Sequence, residues 1–198
     1  MKVNRLVLGP LATNTYLLEE EGKAILIDPA SKAEKLIGIL GDLKLEAILL
    51  THGHFDHIKA VDGLYEHYRC PVYLHEADEV IARDKLSGYE FGLVAYVSCP
   101  TIPLKEGRMK IGPFEFETIF TPGHTEGSVI FVFDECIFTG DTLFRGSVGR
   151  TDLFSGDERK LKQSLNIFKS FNKDYYIYPG HEEESSLEFE LATNYFLR

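Results

Sequence analysis

Glu46-Ala47-Ile48-Leu49-Leu50-Thr51-His52-Gly53-His54-Phe55-Asp56-His57 is the stretch that decides the fold. Its first part is a short apolar run, the pattern of a buried strand. Directly after it the chain supplies His52, His54, Asp56 and His57, four metal-type side chains within six residues. Imidazole and carboxylate are the ligands that suit zinc, iron or manganese. They converge on one point only if the chain folds back as it leaves the sheet. Only 7 of the 198 residues are histidine. Three of them in six positions is a poor match for a solvated loop that is histidine-rich by chance.

Three further segments repeat the design. Phe120-Thr121-Pro122-Gly123-His124 ends an apolar β-rich run with glycine and a histidine. Phe138-Thr139-Gly140-Asp141 does the same for an aspartate, and Tyr178-Pro179-Gly180-His181 for another histidine. Glycine allows the sharp turn that points each ligand back over the sheet edge. Any one of these segments reads equally well as an ordinary turn; their joint occurrence carries the argument. His67 and His75 lack such partners and read as structural. Glu182-Glu183-Glu184 reads as a solvated helix start, and Phe114–Phe120 as core.

Outward from these motifs, strands and helices alternate. Val3–Leu8, Thr15–Glu19 and Ala24–Asp28 read as strands, the last two a hairpin about Glu21-Gly22. Ser31 is expected to cap a helix with Glu34 as its capping-box acid and Leu36, Ile37 and Leu40 as its stripe. Gly41 suits its end. A helix after Ile58, a strand Val72–Leu74 and a helix Ala77–Ala82 follow. Residues 84–107 show no pattern, broken by Gly88, Gly92, Pro100 and Pro103. Then come strands Arg108–Ile111, Phe114–Phe120, Ser128–Phe133 and Cys136–Thr139. A helix Asp157–Ser170 carries Leu161, Leu165 and Phe168 on one face. A strand Tyr175–Tyr178 and a helix Leu187–Phe196 close the chain. Two sheets packed together with helices outside fit this α/β order, as one domain over residues 1–198.

Composition narrows the function. The chain is 44% hydrophobic, with 14 Phe and 10 Tyr, enough for a large core. Its net charge of -10 gives no long-range attraction for nucleic acid or anionic membranes. Cys70, Cys99 and Cys136 are far apart and odd in number, and read as buried free thiols of a reducing compartment. The run Leu6-Val7-Leu8 is too short for a signal-peptide core, and no stretch approaches the length of a bilayer span. The expected location is the cytoplasm.

The order HxHxDH, His, Asp, His resembles the metallo-β-lactamase superfamily over nearly the whole chain. The resemblance implies a four-layer αββα sandwich with a two-metal centre at one edge of the sheets. In that pattern His52, His54 and His124 hold one ion and Asp56, His57 and His181 the other. Asp141 bridges the two together with a water or hydroxide, which Asp56 also orients. Zinc is the first choice of divalent ion, with iron or manganese as alternatives. Gly140-Asp141-Thr142-Leu143-Phe144-Arg145-Gly146-Ser147-Val148-Gly149-Arg150 is similar to the corresponding segment of glyoxalase II, the hydroxyacylglutathione hydrolases. That likeness implies hydrolysis of a small-molecule acyl thioester such as S-lactoylglutathione, with Arg150 and Arg145 as candidate substrate contacts. Larger glyoxalase II enzymes carry a helical C-terminal domain and an aromatic residue where Asp152 stands. The chain is most similar to their short single-domain branch. Arg150-Thr151-Asp152 also resembles persulfide dioxygenases, which use a single iron. A non-catalytic metal-binding domain is the remaining alternative, set against seven filled ligand positions.

Overall fold

The computed structural model describes residues 1–85 and 93–198. Gly88 and Gly92, taken as breakers, lie outside the described residues. Two six-stranded sheets form the centre. The first contains β1 (Lys2–Leu8), β2 (Thr13–Glu20), β3 (Lys23–Ile27), β4 (Lys44–Leu49), β5 (Val72–Leu74) and β6 (Ile102–Pro103), side by side in chain order. β1 to β3 are antiparallel; β3 to β6 are parallel. The second contains β7 (Gly107–Ile111), β8 (Phe114–Phe120), β9 (Val129–Val132), β10 (Cys136–Gly140), β11 (Tyr176–Pro179) and β12 (Ser185–Ser186), again in chain order. Only its β10–β11 pair is parallel.

Three apolar clusters separate four layers. Between the sheets, Tyr16, Leu18, Ile25, Ile27 and Leu49 meet Phe114, Phe116, Phe131, Phe133 and Phe138. Strand alternation turns Leu17, Leu26, Ile48 and Leu74 to the outer face of the first sheet. There they pack against α1 (Ala33–Leu40), α2 (Phe55–Ile58) and α3 (Val61–Tyr68) through Leu36, Leu40, Ile58 and Leu64. Ile130, Ile137 and Ile177 do the same on the outer face of the second sheet. Their partners are Leu161 of α5 (Glu158–Ser164), Leu165 and Phe168 beyond it, and Leu187 of α6 (Leu187–Thr193). This is the αββα sandwich. Central strands buried on both faces read as continuous apolar runs, which is why EAILL lacks alternation. Each fully buried Phe or Leu contributes roughly 1.5–3 kcal/mol.

The β2–β3 turn is tight, with Glu21 and Gly22 both at positive φ (50° and 72°), as a two-residue hairpin requires. Several boundaries differ from expectation. Ser31 caps nothing: Lys32 precedes α1 in the left-handed region with no side-chain cap, and Ser31 is buried. The expected helix 157–170 changes to 3₁₀ winding at Leu165. Its start is as read, Asp157 accepting the backbone N–H groups of Arg159 and Lys160. The helix expected over Ala77–Ala82 is a 3₁₀ turn Glu76–Asp78 followed by α4 (Glu79–Ala82). Glu182-Glu183-Glu184 does not begin a helix. Glu182 is left-handed, the run leads into β12, and α6 is capped two residues later by Ser186. All three cysteines are free and buried. No helix among the described residues is long and apolar enough to cross a membrane.

Candidate metal centre

Every predicted ligand lies just past a strand end or in a loop at the same edge of the sandwich. β4 delivers His52, His54, Asp56 and His57, the last two on α2. β8 leads to His124, β10 to Asp141 and β11 to His181. Two cross-sheet hydrogen bonds fix that edge: Val129 N–H donates to Thr51 O (2.9 Å), and Asn14 N–H to Gly180 O (2.7 Å).

Glycine shapes two of these turns through its φ, +146° at Gly123 and +48° at Gly140. At both, a Cβ would also collide, with Leu161 backbone and with Thr51 Oγ1 respectively. Gly180 serves differently. Its φ is ordinary, but a Cβ there would press on Asp141 Oδ1 and lie 2.8 Å from His57 Cε1.

The ligand atoms fall into two groups. His52, His54 and His124 each bring one donor atom within 4.8 Å of the others, and so do Asp56, His57 and His181. Asp141 stands between the groups. Its Oδ1 is 3.4 Å from His57 Nε2, and its Oδ2 is 3.4 Å from His124 Nε2 and 3.6 Å from His181 Nε2. A third trio, Asp28, His52 and His57, meets the same distance criterion. Asp28 is engaged elsewhere, however: its carboxylate accepts Thr51 N–H (2.8 Å), Thr51 Oγ1–H (2.6 Å) and the His57 Nδ1–H (2.9 Å).

Whether these residues suit metal ions is decided by the faces the rings present. His57 Nδ1 is on Asp28, His124 Nδ1 on Arg150 O (2.7 Å), His181 Nδ1 on Leu11 O (3.2 Å) and His52 Nδ1 on Thr51 Oγ1 (3.1 Å). Acceptors behind Nδ1 fix the tautomer and leave Nε2 as the lone-pair donor toward the centre. His52 Nε2, His57 Nε2 and Asp141 Oδ1 are buried and have no hydrogen-bond partner among the described residues. Buried polar atoms are rarely left so. Divalent cations would satisfy all three, so the residues fit.

Electrostatics point the same way. Burial brings His52 well below the ordinary histidine range, with His57 adding to it. Burial and then the neighbouring His124 take His54 down to about 3. Burial opposes charge on His57 too, yet Asp56, Asp141 and Asp28 outweigh it and raise His57 well above its usual value. On Asp56 burial is outweighed by His57 and by the His181 hydrogen bond, which hold it at about 2. Asp141 is likewise held well below the carboxylate range, burial being overcome by His57, His124 and His52. The site is a buried cluster of ionised carboxylates demanding positive charge.

The structure also brings in residues that the motif reading passed over. Thr13 Oγ1 donates to Asp56 Oδ2 (2.9 Å). Phe144 sets its ring edge-on to His181, with centroids 5.9 Å apart. Phe144–Ser147 is a tight loop held by buried residues of α6 and its end. Glu190 accepts Gly146 N–H (2.9 Å), and Asn194 Nδ2 donates to Ser147 O (3.1 Å). A buried acid and amide outside every motif have no local signature. Arg150 contributes its carbonyl to His124, while its guanidinium forms a two-pronged pair with Asp152 (2.7 and 2.8 Å). Arg145 pairs with Glu183 (3.1 Å) and lies over the Phe189 ring. His75 is structural as read, accepting Ala77 N–H and packing on Phe120. A cleft of about 600 Å³ opens between the sheets at the opposite strand ends, lined by Val3, Glu20, Phe133, Cys136 and Tyr178. None of the candidate ligands lines it, so ligand chemistry rather than cavity size locates the site.

The model of the metallo-β-lactamase superfamily matches residues 8–181, which takes in all seven positions. The chain belongs to this superfamily. A probable metallo-hydrolase of Bacillus subtilis, YqgX, is 34% identical over 100% of this chain and 98% of its own length. The hydroxyacylglutathione hydrolase GloC of Haemophilus influenzae is 33% identical over 92% and 91%. Among solved structures, BLEG-1, described as a B3 metallo-β-lactamase, superposes with a TM-score of 0.92 at 36% identity, covering 99% of each chain. TTHA1623 in a di-iron-bound form gives 0.91 at 40% identity, covering 98% of this chain and 100% of its own. ETHE1 from Myxococcus xanthus gives 0.81 at 28%, covering 98% and 84%. Within this superfamily the chain carries a His/Asp cluster able to hold divalent metal.

Proposed function

We propose that the chain hydrolyses acyl thioesters of the hydroxyacylglutathione class with two divalent ions. His52, His54 and His124 would hold one, Asp56, His57 and His181 the other, and Asp141 both. The observation that carries this reading is the placement of Asp141 between the two groups, its Oδ1 toward His57 and its Oδ2 toward both His124 and His181, with Oδ1 otherwise unpartnered. When bound, two such ions would supply an activated water near neutral pH and polarise the acyl carbonyl. Either zinc or iron suits the donor set.

The chain's own groups do the rest. Asp56 is held ionised, and Thr13 donates to its Oδ2, so the carboxylate keeps one orientation from which to accept a hydrogen bond from the attacking water. A departing thiolate of ordinary acidity, with a thiol pKa of about 8.5, needs no strong proton donor. That suits a site whose groups are ligands and ionised carboxylates. Arg150 lies on the loop that holds His124. Its pair with Asp152 is exposed, and exposed pairs are weak. A substrate carboxylate can take Asp152's place by the same two-pronged geometry. Arg145, bonded to Glu183, is the lesser candidate for this contact. The likeness to GloC over nearly the full length supports the substrate class.

The likeness to BLEG-1 favours a second reading, hydrolysis of a β-lactam amide. Metal-loaded protein assayed in parallel on S-lactoylglutathione and on a chromogenic cephalosporin separates the two. Thioester turnover at least about a hundredfold above the cephalosporin, as kcat/KM, is expected. The reverse order would overturn the thioesterase reading, as would release of sulfite from glutathione persulfide with oxygen uptake and no thioester turnover.

A further inference from the structure

Asp78 ends the 3₁₀ turn after β5 and is fully buried. Its carboxylate holds nothing on its own element. Oδ2 accepts Gly53 N–H (2.8 Å) and Thr125 Oγ1–H (2.7 Å), and Oδ1 accepts Gly127 N–H (2.8 Å). Gly53 is the residue between His52 and His54. Thr125 follows His124. One side chain therefore bonds both loops that carry the three-histidine group, one loop from each sheet.

The contact is tight and directional. A Cβ on Gly127 would fall 2.7 Å from Asp78 Cγ, and one on Gly53 3.2 Å from Asp78 Cβ. Both loops approach the carboxylate as closely as backbone allows. Thr125 N–H donates to Ser128 Oγ (3.0 Å), and the two hydroxyls are 2.8 Å apart. With Ser128 donating to Thr125, the Thr125 hydroxyl hydrogen is directed to Asp78. Three donors converge on an acceptor-only group. The same turn braces the second sheet once more, His75 packing edge-on to Phe120 at 4.3 Å.

We propose that Asp78 is a positioning residue for metal binding, clamping the His52–His54 loop to the His124 loop at the spacing one ion requires. This rests on the two-ion reading above. Asp78 touches none of the atoms that face the centre, so its effect falls on one site of the two. An amide in its place keeps the shape but presents an NH₂ to Gly127 N–H or to Gly53 N–H, donor against donor, whichever way it is turned.

The test is a zinc titration of the full chain against a chromophoric chelator, resolving the two binding steps. In Asp78→Asn one step should weaken about 10- to 100-fold, the range for removing an outer partner of metal ligands, and the other should hold. Adding His54→Ala, which removes a ligand from the clamped group, should leave the surviving step unmoved by Asp78→Asn. Thr125→Val removes one donor while the carboxylate stays, and should weaken the same step even if Asp78→Asn fails to fold. Thr125→Ser should restore it. Two wild-type steps left unchanged in Asp78→Asn and Thr125→Val would overturn the clamp alone. So would a loss shared equally by both steps. Wild-type protein that takes up no zinc would overturn the two-ion reading and the clamp with it.

Discussion

His57 Nδ1 lies 2.9 Å from Asp28 Oδ2, and both side chains are buried. The same carboxylate accepts both donors of Thr51, the residue before His52. One acid thus aims the His57 ring and anchors the start of the HxHxDH loop. Replacing Asp28 by Asn keeps the left-handed backbone that Asp28 occupies (φ 48°), which Asn tolerates. The neutral amide leaves at least one of those donors poorly matched. Metal affinity at the group containing His57 should fall about 10- to 100-fold, read by chelator competition, with the circular dichroism spectrum unchanged. Unchanged affinity would show that His57 needs no such support.

Gly180 offers a test of space rather than of turn geometry. A Cβ there presses on Asp141 Oδ1 and approaches His57 Cε1. Since the backbone of Gly180 is tied to Asn14 and to Gly140, it has little room to retreat. Asp141, whose oxygens reach both histidine groups, must then move. Gly180→Ala is expected to lose at least about tenfold in metal affinity with a small change in apo-protein melting temperature. A fully loaded, fully active Gly180→Ala would show that Asp141 tolerates displacement.

The candidate ligands could be picked out of the chain because metal chemistry restricts such groups to few residue types, and each of the seven follows a strand end. The central strands were readable for a related reason: β3, β4 and β10 are apolar runs bounded by turns. What could not be read is support from a distance. Asp28, Asp78 and Glu190 are ordinary acids by sequence, and only folding brings them to residues 23 to 49 positions away. Ser31 shows the converse. Its local signal for a cap was sound, but the chain enters α1 through a left-handed Lys32, and tertiary packing buries the serine instead.

Acid stability should report on Asp62 of α3. Its carboxylate accepts Ser98 N–H, Ser98 Oγ–H and Cys99 N–H at 2.6–3.0 Å, tying the segment beyond residue 93 to the helix after His57. Burial pushes this carboxyl up, but the Ser98 and Cys99 bonds outweigh it and hold it below the usual value. A depressed carboxyl stabilises the fold above its unfolded pKa, about 3.9, and loses that contribution as pH falls through the folded value. Asp62→Ala should therefore melt below wild type at neutral pH, the gap closing progressively below about pH 4. A gap that stays constant from neutral pH into the acid range would assign the loss to packing rather than to charge.

Arg150 allows metal binding and substrate binding to be separated within one residue. Its carbonyl accepts the His124 Nδ1–H, and its guanidinium faces Asp152 outside the ligand cluster. Truncation to Ala removes the guanidinium and its pair with Asp152 but keeps the carbonyl, which any residue supplies. Arg150→Ala should therefore keep wild-type metal content. If the guanidinium holds the substrate's carboxylate equally in ground and transition states, KM should rise with kcat little changed. A charge-assisted contact of about 1.5–3 kcal/mol corresponds to roughly a 10- to 150-fold rise. Asp152→Asn should act in the opposite direction, lowering KM by removing the group that competes for Arg150. A rise in KM accompanied by lost metal would mean that the loop carrying the His124 contact had moved. Equal KM in wild type and both variants would remove Arg150 from the substrate site, whatever the metal content.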